Sequence, residues 1–400
     1  MVIACPDCGL VQCIPPLSER AVAACRKCGC VLEATAGRNI TYALALSLSV
    51  LALLIAGNLL PFLSVEFAGM QRETRLAAAL PLLLQSEWII LAAGIAAFVL
   101  VLPIARFALL TITLGAVRFG FRPRWVGRAF RWALALELWA MADVMLLGAV
   151  IGYTRLASEL RTEIGVGGWC FAAGALLSII ARASLNRRAV WQAIRADPAT
   201  APEGDLLSCP ACNHVDTAKK EGQACPRCSA TLRTRKPGAM AAAVAFTLAG
   251  FMLYPPSLIY PMTLVSRLGQ TEGQTIFFGV KELFRVGLWP FGVVVFFTSI
   301  MIPGLKLLGI SWFALAAHRQ WRAGLRLRTR LHRIIENLGR WSNVDVTIII
   351  SFAPLMQFGQ FASARPAVGA TCFFSVVVVT MLASHFFDPR LMWDAAERKE

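Results

Sequence analysis

Charge is scarce in this sequence, and the signatures of soluble catalysis are missing. Only 16% of its 400 residues are charged against 57% hydrophobic, at a mean hydropathy of +0.63, where soluble domains carry roughly 25% charged residues. One water-soluble core cannot hide that excess. No Walker sequence, HExxH, GxSxG or paired-acid pattern occurs, which leaves ATP hydrolysis and soluble-type hydrolase chemistry without support. A cleavable signal peptide is missing as well. Met1 to Arg38 is polar and rich in cysteine, not a basic start followed by an apolar stretch, so the N-terminus is expected in the cytosol.

What is there is a set of charge-free apolar runs such as Ile40 to Val65, Gly238 to Ser266 and Pro366 to Phe387. Each exceeds the roughly 20 helical residues that cross a bilayer. The net charge of +16 does not point to nucleic acid, because the Lys and Arg residues cluster between these runs, where membrane orientation explains them. The expected fold is an all-α polytopic membrane protein.

Self-comparison divides the chain into two copies of one unit. Helices are expected near 42–64, 88–116, 132–153 and 166–185, then again near 239–264, 287–316, 341–362 and 366–387. Pro61 and Pro261, Pro103 and Pro303, and Arg106 and Lys306 are each 200 residues apart. Trp139, Asp143, Arg188 and Trp191 recur at a spacing of 202 as Trp341, Asp345, Arg390 and Trp393. The expected organisation is a cysteine module (1–38), a four-helix unit (39–195), a linker (196–206) holding Pro198, Pro202 and Gly204, a second module (207–236), a second unit (237–393) and a tail (394–400).

Basic residues set the orientation. The segment after the second helix carries Arg118, Arg122, Arg124, Arg128 and Arg131 without an acid, and its counterpart carries Arg319, Arg322, Arg326, Arg328, Arg330 and Arg333. The loops on the other side, 65–87 and 265–286, have mixed charge. The positive-inside rule then places both modules and both termini in the cytoplasm. Four crossings per unit return the chain to its starting side, so the repeat is parallel rather than inverted.

Eight of twelve cysteines form four CxxC pairs: Cys5 and Cys8, Cys25 and Cys28, Cys209 and Cys212, Cys225 and Cys228. Two such pairs supply the four soft ligands of a tetrahedral Zn²⁺ in a zinc-ribbon or rubredoxin-like module. All-cysteine ligation leaves no open coordination position, so the expected metal is structural, zinc being favoured over iron. A redox dithiol is the other reading of a CxxC pair. Cys30 could stand in for Cys28 in a shifted set, though the regular spacing favours Cys28; Cys170 and Cys372 fall inside apolar helices and read as core residues.

A second chemistry lies within the helices. Lys306 interrupts a long apolar run, and Asp345 stands near the start of the next helix; an ionisable group at such depth is costly unless it pairs or meets water, which makes it a functional candidate. Ser299 precedes Lys306 by two helical turns, Ser342 precedes Asp345 by one, and Thr380 on the last helix closes the cluster. Snorkelling of the lysine stem and a plain structural ion pair are the competing readings. In the first unit Arg106 and Asp143 hold these places, with Glu137 nearby. Arginine keeps its proton whereas a buried lysine can release it, so the second unit is the candidate for a relay and the first for a fixed pair.

The CxxC pairs ahead of four helices, the proline-ended first helix, WxxxDV from Trp139 and again from Trp341, and a closing RxxW at Arg188 and Arg390 together resemble the paraquat-inducible protein A family over nearly the whole chain. The resemblance implies a bacterial inner-membrane component that moves phospholipid without ATP, working with a periplasmic MCE-domain partner whose rings form a hydrophobic tunnel. It also implies a role for Ser299, Lys306, Ser342, Asp345 and Thr380. This sequence departs from the pattern at Tyr254, Pro255 and Pro256, and lacks an Asn58-like residue before Pro261. A membrane scaffold that anchors or gates the partner is the alternative function.

Overall fold

The computed structural model describes residues 2–15, 17, 21–34, 39–67, 70–78, 88–157, 161–196, 206–217, 221–267, 270–338 and 362–397. Two short hairpins come first, β1 (Val2–Ala4) with β2 (Val11–Cys13) and β3 (Val22–Ala24) with β4 (Val31–Ala34). α1 (Ile40–Leu59) leads into β5 (Leu63–Phe67) and β6 (Met70–Thr74). α2 (Ile89–Ile95) runs through a π-helical turn (Ala96–Val101) into α3 (Leu102–Arg118), and α4 (Arg124–Ala135) through a 3-10 turn toward α5 (Ala142–Ala157). β7 (Arg161–Ile164), α6 (Val166–Ser184) and the short α7 (Arg187–Ile194) complete the first unit.

The second unit repeats the order. It has the hairpin β8 (Leu206–Ser208) with β9 (Val215–Thr217), then α8 (Ala239–Ile259), β10 (Thr263–Arg267) and β11 (Gln270–Gln274). α9 (Ile276–Arg285) precedes α10 (Trp289–Phe296), which passes through a π-helical turn (Phe297–Met301) into α11 (Ile302–His318). α12 (Leu325–Leu338), β12 (Ala362–Pro366), α13 (Val368–Phe386) and α14 (Arg390–Glu397) follow. The helix expected near 341–362, with Trp341, Ser342 and Asp345, lies outside the described residues except for its last position, and so does most of the linker.

Seven helices among the described residues are long and apolar enough to cross a membrane, four in the first unit and three in the second. Their outward faces carry Leu48, Ile112 and Leu176, and Leu248, Met252 and Leu308. A water-soluble surface does not present such a belt, and a helix is spared the cost of exposing backbone polar groups to lipid.

The expectation of an all-α chain is corrected at the end opposite the cysteine modules. There each unit builds a three-stranded antiparallel sheet, β6-β5-β7 and β11-β10-β12. The first helix was expected to run to 64 and 264, but it ends at Leu59 and Ile259. Pro61 and Pro261 have no N–H with which to continue the ladder, and the apolar residues beyond them turn into β5 and β10. The freed carbonyls are used instead to seat the last helix. Gly167 N–H donates to Pro61 O at 2.9 Å and Gly369 N–H to Pro261 O at 3.0 Å. A Cβ at either glycine would lie 2.4 Å from a backbone oxygen, that of Leu60 or of Tyr260. The recurring prolines and glycines thus do the same mechanical task in both copies.

The two units pack side by side with their sheets at one end. α2 and α5 meet α9, α10 and α13 in an apolar cluster that includes Leu91, Met141, Val144, Phe373, Phe374 and Val377. Gly94 makes room for the Phe374 ring; a Cβ there would fall 2.0 Å from its Cζ.

At the other end the modules are crossed. The first rests on the second unit: Asp7 pairs with Arg333 of α12 at 2.9 Å, Arg390 of α14 donates to Pro6 O at 3.0 Å, and Trp393 of α14 packs against the cysteine cluster. The second rests on the first unit, its cysteines sharing a core with Phe130, Ala133, Val190 and Trp191. Gly127 of α4 comes so near that a Cβ would lie 1.8 Å from Arg227 O. The modules also touch each other through Val2, Ala4 and Val215. The two RxxW tryptophans, Trp191 and Trp393, therefore anchor opposite modules.

Candidate functional site

Each CxxC pair sits on a tight turn closed by two backbone hydrogen bonds. In the first, Cys5 N–H donates to Leu10 O at 2.9 Å and Gly9 N–H to Cys5 O at 3.0 Å; the turns at Cys25, Cys209 and Cys225 repeat this. The residue after each second cysteine takes a left-handed conformation, with φ of +77° at Gly9, +71° at Gly29, +55° at Asn213 and +57° at Ser229. Glycine and asparagine adopt it at little cost. The turns aim the sulfurs inward.

The expected ligands converge as two buried sets, Cys5, Cys8, Cys25 and Cys28, and Cys209, Cys212, Cys225 and Cys228, whose sulfurs all lie within 4.8 Å of one another in each set. Across the pairs the separations are 3.4 Å for Cys5 and Cys28, 3.6 Å for Cys8 and Cys25, 3.4 Å for Cys209 and Cys228, and 3.7 Å for Cys212 and Cys225. A tetrahedron with Zn–S bonds of about 2.3 Å has edges of about 3.8 Å, so both sets fit one divalent ion. Cys30 lies outside the set, its thiol toward Val31 O. Four sulfurs this close cannot all ionise without a cation among them, so the donors suit a metal and leave no position for substrate.

The intramembrane site is built on the π-helical turns. Each turn stands immediately before Leu102-Pro103 or Ile302-Pro303, where the proline cannot donate to the preceding turn and the extra residue absorbs the break. Arg106 and Lys306 follow at the same position in each copy, and both are 2% exposed. Lys306 stands 12 residues from the His318 end of a 30-residue span, about 18 Å along the axis. Its side chain is enclosed by protein at that depth.

Three members of the expected cluster, Lys306, Ser299 and Thr380, are buried in the second unit. Ser299 and Thr380 are fully buried. Ser299 shares a 3.4 Å hydroxyl contact with Thr298, which the sequence reading missed, and Thr380 donates to Val377 O at 3.0 Å. Thr380 and Leu307 approach each other over Gly250, where a Cβ would lie 2.6 Å from Leu307 and 3.6 Å from Thr380. Ser342 and Asp345 lie outside the described residues. Two more polar groups, Tyr254 and Glu336, belong to this region. Tyr254, in the departing Tyr-Pro-Pro stretch, donates its hydroxyl to Ile300 O in the π-helical turn at 2.7 Å. Glu336 of α12 acts electrostatically on Lys306, as helix pairing allows: Gly309 meets Ile335 and Phe313 meets His332 along α11 and α12.

In the first unit the expected pair exchanges partners. Arg106 reaches Glu137 at 3.3 Å, while Asp143 is held by Arg182 at 2.7 Å from the last turn of α6. Arg187 also binds Glu137, at 2.8 Å. At the 202-residue spacing of the last helices, the second unit has Ser384 and Pro389 in place of Arg182 and Arg187.

The family model described as Paraquat-inducible protein A matches residues 40–195 and 240–397. The chain belongs to the paraquat-inducible protein A family. It is 31% identical to the intermembrane transport protein PqiA of Escherichia coli K12, over 100% of this chain and 97% of that protein. It is 26% identical to the lipophilic envelope-spanning tunnel protein A of the same organism, over 98% and 91%, and 25% identical to a probable intermembrane transport protein of Haemophilus influenzae, over 100% and 97%. No solved structure matches. The relatives are named for transport rather than for catalysis, and a multi-pass membrane protein of envelope transport is what family and fold together support.

Proposed function

We propose that this family member is an inner-membrane subunit that passes phospholipid between the membrane and a periplasmic MCE-domain tunnel partner, with the second unit as the working copy. The observation that carries the reading is the buried Lys306, which follows a π-helical turn in the copy that has Ser384 and Pro389 where the first has Arg182 and Arg187; in this reading Ser299 and Thr380 supply hydroxyls beside it. A buried ammonium among hydroxyls suits a lipid headgroup or a proton that Lys306 takes up and releases. Asp345 and Ser342 complete the cluster in this reading. The names of the relatives, intermembrane transport and envelope-spanning tunnel, support this reading. In this reading the modules, each with a structural Zn²⁺, and both termini face the cytoplasm, which the arginines at the module end of the spans support, and the sheets face the periplasm and the partner.

The test is Lys306→Ala and Asp345→Ala at wild-type protein level. Both are expected to abolish complementation of a deletion strain and transfer of labelled phospholipid between liposomes carrying the protein and its partner. Normal transfer by both variants overturns the site. Partner binding without transfer by the wild-type protein points instead to a scaffold that anchors or gates the tunnel.

A further inference from the structure

The charged group buried in the first unit is short of acceptors. Arg106, Arg182 and Arg187 face two carboxylates, Glu137 and Asp143, and these four neighbours are the charges that act most strongly on Arg106. Three guanidiniums against two acids leave one positive charge in excess. Arg106 is 2% exposed and has five N–H donors, yet its ion pair is a single 3.3 Å approach to Glu137, and its Nε has no hydrogen-bond partner among the described residues. Arg182 gives one arm to Asp143, and its buried Nη1 has none either. Buried donors of this kind are nearly always matched, and a guanidinium fork matches a tetrahedral oxyanion best.

We propose that Arg106, Arg182 and Arg187 form a binding site for a phosphate group, that of a phospholipid headgroup entering from the leaflet at the module end. Three observations point this way. Arg187, on α7 just past the last span, is half exposed while its partner Glu137 is largely covered, so the cluster extends from the interface inward. The excess charge has the sign a phosphodiester needs. The second unit seats its last helix in the same way and does so without Arg182 and Arg187, so the architecture does not require them. The first copy then holds an anionic headgroup, a property independent of whether Lys306 works as proposed.

The experiment uses the full chain in detergent, stripped of lipid and titrated with a fluorescent short-chain phosphatidylglycerol and with the corresponding diacylglycerol, which lacks the phosphate. Saturable binding of the phospholipid alone is expected. Arg182→Gln and Arg106→Gln each weaken it tenfold or more, and Arg285→Gln, which removes an exposed arginine at the sheet end, leaves it unchanged. Because Arg106→Gln removes a buried group and can fail to fold, Arg187→Gln, at a half-exposed position, provides a further arm, expected to weaken binding several-fold. Competition by millimolar inorganic phosphate identifies a site for the free anion, and its absence a site that also requires the acyl chains. Equal binding of diacylglycerol, or wild-type affinity in monodisperse Arg182→Gln and Arg187→Gln, overturns the proposal.

Discussion

Gly127→Ala puts the crossed docking of the modules to a direct test. The new methyl on α4 would sit 1.8 Å from Arg227 O, 3.0 Å from its carbonyl carbon and 3.4 Å from Cys228 Cα. Carbon and oxygen need about 3.3 Å, so the helix and the ligand turn must part by about 1.5 Å; overpacking of this kind costs about 1–3 kcal/mol. The same substitution stabilises the helix by about 1 kcal/mol, so global unfolding is a blunt readout. The local one is metal release. Cys228 follows the displaced carbonyl directly, and the second module should surrender its ion to a chromogenic chelator roughly 5 to 100 times faster. The first module, resting on α12 and α14, should release at the wild-type rate. Gly115→Ala, whose methyl meets only Leu44 at 4.0 Å, should change neither. Equal acceleration at both sites, or none at either, would refute the crossed arrangement.

Other consequences are open to measurement. Gly369→Ala and Gly167→Ala each drive a methyl to 2.4 Å from a backbone oxygen and should cost similar amounts, about 1–3 kcal/mol, in thermal melts of the detergent-solubilised protein; a large effect at one and none at the other contradicts their equivalence. His332, packed between Phe313 and Phe387, is held down to about 4 by burial, aided by Lys236 and Arg333. The folded chain therefore binds fewer protons there than the unfolded one. Stability should be full above pH 6.5 and fall by up to about 3 kcal/mol as the pH drops toward 4, and His332→Leu should flatten that fall. Stripping metal with a chelator should expose residues 2–34 and 206–232 to protease while leaving the spans intact, since modules this small depend on their metal to fold; protection unchanged after verified metal loss would count against it.

Much of this organisation was legible in the chain. The 200- and 202-residue spacings located Pro61 with Pro261 and Arg106 with Lys306; the structure gives the prolines the same task and buries both basic residues. The CxxC pairs named all eight converging thiols, because two cysteines three apart on a tight turn face the same way whatever surrounds them. The sheets were not read. β5 and β10 continue the apolar runs of α1 and α8, and a short apolar run does not reveal whether it is helix or strand; the prolines at 61 and 261 were the available signal.

Partners across the fold escaped the sequence for a different reason. Arg106 was matched with Asp143 by analogy of position, yet Arg182 reaches Asp143 from another helix and Glu137 turns to Arg106 and Arg187. Glu336 and Tyr254 approach Lys306 and its π-helical turn from helices whose packing no local pattern encodes.

What the sequence determined by itself is everything set over short range. Apolar length imposes spans, proline ends them, cysteine spacing builds metal turns, and duplication imposes two like units. What only the tertiary structure decided is which surfaces meet: the first module lies on the second unit and the second on the first, and of two equivalent basic residues Arg106 pairs with Glu137 while Lys306 comes under the charge of Glu336. Contact between elements hundreds of residues apart depends on shape and charge that exist only once each has folded.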